Sequence, residues 1–67
     1  MDKVAIKTWI INNIPASVPL AQKANWVAID LLRHLGKMER PLAREIITNY
    51  WPELAKEIED NYPHHWS

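Results

Sequence analysis

Sixty-seven residues, with eight basic against eight acidic side chains and no Cys, describe one small domain of zero net charge, without disulfide or thiolate–metal staples. Zero net charge removes the excess that drives non-specific binding to nucleic acid or to an anionic membrane. No apolar run approaches the roughly 20 residues of a transmembrane span, and Met1-Asp2-Lys3 leads into no signal-peptide segment, so a soluble, cytoplasmic domain is expected.

The first element runs from Asp2 to Asn13 (2–13), where Ile6, Ile10 and Ile14 stack at i, i+4, i+8 on one side of a helix. Trp9-Ile10-Ile11 has strand-like composition, but no other segment offers a strand partner. Pro15 pushes Ile14 out of helical geometry and ends the element. The connection Ile14–Pro19 holds two prolines, and Ser17 is expected to cap the second helix.

The second helix is the longest, 18–35. Leu20, Ala24, Val27, Ala28, Leu31, Leu32 and Leu35 fall within roughly 140° of arc at 100° per residue. Gly36, the only glycine, stands where a left-handed residue would stop the helix. Arg33, His34 and Lys37 suit the negative pole at that end.

A third helix, 41–50, starts with Pro41 at its first position and turns Leu42, Ala43, Ile46, Ile47 and Tyr50 inward. Pro52 opens a fourth, 52–62, with Glu53 in its first turn and Leu54, Ala55, Ile58 and Tyr62 as its buried stripe. Residues 1–62 thus form a single all-α domain, a bundle of four short helices, and 63–67 a C-terminal tail with a free Trp66.

Catalysis finds little support. Neither a Cys nucleophile nor a Gly-rich phosphate loop exists, and Ser17, Asp30 and His34 read more simply as a cap beside a helix pair than as a triad. No enzyme activity and no cofactor are expected. Asp30 and His34 stand four apart on one helix, and Glu59, Asp60, His64 and His65 lie near the C-terminus, but none matches the spacing of a recognised zinc signature. No metal is expected.

Nucleic acid is the second choice. Leu42-Ala-Arg-Glu-Ile46 resembles the first helix of helix-turn-helix units, and four basic residues (Arg33, Lys37, Arg40, Arg44) against Glu39 give 33–44 a local charge of +3. The helix placed to read DNA carries Glu53, Glu57, Glu59 and Asp60 against Lys56, a charge of −3, and phosphates repel it.

Tryptophan is the anomaly: four Trp and no Phe. Trp is enriched at binding hot spots because it removes much area from water while keeping a polar N–H. Gln22, Trp26, Ile29 and Arg33, spaced 4, 3 and 4, form a second stripe on the long helix, away from its leucines. The stripe reads either as a face for another chain or as core covered by a neighbouring helix. Trp9 is assigned to the core and Trp51 to the corner between helices three and four. The expected role is that of a protein-binding inhibitor, adaptor or regulator occluding a larger partner, self-associating as a homodimer. Such a role fits a phage-type accessory protein. A membrane role is not expected, because the polar faces carry no excess of Lys or Arg.

Overall fold

The computed structural model describes residues 1–66 and contains four helices and, among the described residues, no strand. The all-α bundle expected from the sequence is the fold observed. Helix α1 spans Lys3–Asn13. Asp2 begins it, its carboxylate Oδ1 accepting the Ala5 N–H at 2.8 Å and so satisfying one of the orphan donors of the first turn. Ile14 ends it in extended geometry, as the next residue, Pro15, demands.

Helix α2 starts at Leu20 and keeps α geometry through Trp26. The path then widens into a π turn, Val27–Leu31, and tightens into a 3-10 turn, Leu32–His34. The long second helix is therefore continuous but irregular. Its start differs from expectation: Ser17 makes no capping bond, and Pro19 holds the cap position without one. Its end differs too. Gly36 has no positive φ, so glycine is not needed there for a left-handed stop. Instead the chain leaves Leu35 in extended geometry, and the Gly36 carbonyl accepts from the Glu39 and Arg40 N–H groups at 3.0 and 3.2 Å, turning directly into the next helix.

Helix α3 (Arg40–Tyr50) places Pro41 second rather than first, where its missing N–H still costs no intrahelical bond. Helix α4 (Pro52–Asn61) starts at Pro52 with Glu53 in its first turn. One residue, Trp51, forms the whole corner. Its N–H donates to the Ile47 carbonyl at 2.8 Å, closing α3, and its own carbonyl accepts the Ala55 N–H at 2.9 Å, opening α4.

Helix α4 packs on α2 and α3, and α1 packs on α3. The core joins Ile6, Ile10 and Ile14 to Val27, Leu31, Leu32 and Leu35, then to Ile46, Ile47, Leu54 and Ile58. Among the described residues no polar or charged side chain is buried. The Cα radius of gyration, 10.4 Å, sits at the value of about 11 Å that packed chains of this length adopt.

Three expectations about the core are overturned. Leu20, placed on the inner arc of the second helix, is 38% exposed, because it stands at the first residue of α2. Tyr50, assigned inward by its spacing, is 57% exposed, because α3 ends there and its ring meets the Lys7 ammonium and Trp51 rather than the core cluster. Trp66, assigned to a free tail, is 5% exposed. A 3-10 turn, Pro63–Trp66, folds back against α3, α4 and the Leu32–His34 turn and carries the indole into the core. The cost is visible in its buried indole N–H, which finds no partner among the described residues. Among the described residues no helix is long and apolar enough to cross a membrane.

Candidate protein-docking site

The stripe on α2 is neither sealed nor fully open. Trp26 is half-buried and packs against the core cluster, while Ile29 is half-buried and Gln22 and Arg33 are exposed. The π turn sets this arrangement. It begins immediately after Trp26 and contains Ile29, so the α spacing that unites 22, 26, 29 and 33 in sequence does not run unbroken through the face. Turns of this kind are rare and recur at functional positions in helices. The Arg33 side chain makes no ion pair or hydrogen bond among the described residues, and it sits in the last turn, where the helix dipole favours a cation.

The basic stretch 33–44 is dispersed. The Arg44 Nη2 pairs with a Glu59 oxygen at 3.3 Å, and the Arg40 Nε donates to the Leu32 carbonyl at 3.3 Å. Lys37 is exposed beside Gly36. The acidic helix thus neutralises part of the basic patch within one molecule.

Candidate chemical residues do not converge. Ser17, Asp30 and His34 are exposed, and no hydrogen bond links them. No group of three His, Asp or Glu side chains is placed to hold a metal ion among the described residues. His65 is ordered, its N–H donating to the Tyr62 carbonyl at 3.0 Å and its ring edge-on to Tyr62 at 6.0 Å.

A second surface was not singled out from the sequence. Two adjoining clefts of about 260 and 280 Å³ open between the end of α1, the start of α2 and the Trp51 corner, with Lys23, Trp51 and Leu54 lining both. Each falls short of the roughly 300–1,000 Å³ typical of small-molecule sites and is of a size for inserted side chains. Ile11, Leu20 and Tyr50, three of the six large hydrophobic residues exposed among those described, line this one groove. Tyr50 is held in place by Trp51, ring centroids 5.9 Å apart, and by the Lys7 ammonium 3.8 Å above its ring. The signal present in the sequence was the apolar pair Val4 and Ile11, seven residues apart and hence on one side of α1, opposite the buried Ile6 and Ile10. No family model, curated protein or solved structure matches the chain.

Proposed function

We propose that this protein is a small binding module that acts by covering a surface of a larger protein, with the α2 face of Gln22, Trp26, Ile29 and Arg33 as its contact. The observation that supports this reading is the π turn at Val27–Leu31, which leaves Trp26 and Ile29 partly open on a helix whose Ala24, Val27 and Ala28 are sealed. An aromatic ring held by core packing yet partly open to solvent binds at low entropic cost, because packing already limits its freedom before contact. Arg33 supplies the directional contact. The partner that fits presents an apolar pocket for the indole beside a carboxylate for the guanidinium. The outcome is inhibition or adaptation by occlusion, with no chemical step.

The test is photo-crosslinking in the cells from which the chain derives, with a photoreactive residue in place of the exposed Gln22. One defined protein crosslinked by the parent chain, and lost when Arg33→Glu is added, is the expected result. Crosslinks scattered over many proteins, or a defined one indifferent to Arg33→Glu, overturn it. Duplex DNA bound with an affinity that falls steeply with salt would assign the function to the basic 33–44 region instead.

A further inference from the structure

We infer that the groove around Trp51 is the seat of a symmetric homodimer, occupied by the same groove of a second copy of this chain. This surface adjoins the α2 face assigned to the larger partner at Lys23 but contains none of its four residues.

Apolar exposure is concentrated at this groove. Ile11 is 60% exposed and Leu20 38%, and Tyr50 stands beside the half-buried Trp51 at the same groove. On α1 the exposed side continues past Thr8 from Ile11 to Val4, 73% exposed, so this helix carries large apolar side chains on both its inner and its outer side. A helix apolar on two sides is ordinarily covered on both. Within one molecule only the Ile6–Ile10 side is covered.

Charge selects the occupant. Apart from Lys7, whose ammonium is engaged on the Tyr50 ring, the groove carries one cation and one anion at its rim, Lys23 and Glu53. Neither side chain makes an ion pair or hydrogen bond among the described residues, although Lys3, Arg44 and Lys56 all find carboxylates elsewhere. A surface bearing one unpaired charge of each sign around an apolar centre is complementary to itself. In a two-fold arrangement residue i of one copy meets residue j of the other, and j meets i. Lys23 of each copy then faces Glu53 of the other, and both pairs form at once. A partner of one charge sign would satisfy only one of these groups and oppose the other.

Size favours the same occupant. A domain near this length has a thin stability margin on its own, and self-association is one of the few additions open to a chain without Cys. A standard interface takes about 800 Å² from each partner, roughly a fifth of this molecule's 4294 Å² surface. The groove with the outer side of α1 gathers Val4, Ile11, Leu20 and Tyr50, four of the six large hydrophobic residues exposed among those described, and the area is drawn from there.

The experiment is sedimentation velocity across a concentration series, on the full chain and on three variants. The parent chain is expected to move from monomer to dimer as concentration rises. Lys23→Glu and Glu53→Lys are each expected to raise the dimer Kd at least about tenfold, since each sets like charges facing across the two-fold axis. An equimolar mixture of these two variants is expected to recover a dimer of near-parental affinity, because every facing pair is again opposite in sign. Ile11→Glu, at an exposed position, is expected to abolish the dimer while leaving the far-UV circular dichroism spectrum unchanged. A parent chain that stays monomeric at millimolar concentration overturns the inference, and leaves the crosslinking result at Gln22 standing or falling on its own. A dimer indifferent to Ile11→Glu and to both charge reversals also overturns it, as does a mixture that remains monomeric.

Discussion

Arg44 lies over the indole of Trp66, its guanidinium carbon 5.8 Å from the ring centroid, while its Nη2 pairs with Glu59 at 3.3 Å. The cation that the sequence offers to phosphates is instead one wall of the site that receives the last aromatic residue of the core. The two halves of this relationship differ greatly in energy. The ion pair joins side chains about half exposed on both sides, and such pairs contribute about 0–1 kcal/mol. The buried indole belongs to the class whose truncation costs about 3–5 kcal/mol. Trp66→Ala is therefore expected to consume most of the stability available to a domain of this size and to broaden or abolish the thermal transition. Arg44→Ala should shift the urea midpoint only slightly.

Trp26→Ala is expected to cost less, about 2 kcal/mol, because its ring is only half withdrawn from water. The variant should keep its helical circular dichroism and lose its crosslinked partner. A loss as large as that of Trp66→Ala, measured by urea denaturation under identical conditions, would place the ring in the core and remove it from the contact face.

Gly36→Ala should stabilise the protein by about 0.4–1 kcal/mol. The backbone there has no positive φ, and an added methyl group would meet only the Glu39 Oε1 at 3.7 Å, an ordinary contact. The gain comes from the unfolded chain, which loses freedom while the folded one is unstrained. A fall in Tm on this substitution would contradict that backbone geometry.

Asp2→Ala removes the acceptor for the Ala5 N–H and should cost about 1 kcal/mol, with Asp2→Asn close to neutral. Chemical denaturation of the two variants side by side separates the cap from a general charge effect.

The Lys56 ammonium donates to the Asp60 carboxylate at 2.9 Å, and this hydrogen bond, followed by the attraction of the Asp60 charge, raises the Lys56 pKa above its ordinary 10.5. Because the folded pKa is the higher one, the pair's contribution is fully present below about 10.5 and is lost as pH rises through the raised value. Lys56→Met should therefore lower stability slightly at neutral pH, with the difference vanishing in strongly alkaline buffer. The side chain is fully exposed, so the effect is small.

Proline punctuation and i, i+4 spacing made the four helices legible, and Pro52 even marked the first residue of α4. Three features were not legible, each for its own reason. Periodicity gives a residue's angle around its helix but says nothing about whether a neighbour covers that angle, and so Tyr50 reads as core yet lies open at the end of α3. The four residues that bury Trp66 are too few to carry a period at all. The groove joins Ile11, Leu20 and Trp51 from three separate segments, and no local pattern records that meeting. The α2 stripe stands between these cases: its spacing was visible, but the widening of the helix beneath it was not.

That widening lets the chain tolerate a change in length. A turn closed by i→i+5 bonds holds one residue more than the α path through the same rise. Removing a single residue from within 27–31 can be absorbed by tightening, so the downstream elements keep their places. An equal deletion in α4 finds no such slack, and it would swing every later side chain by about 100° around the axis. Among the described residues, the long helix is thus the one element that carries a spare residue in its own backbone.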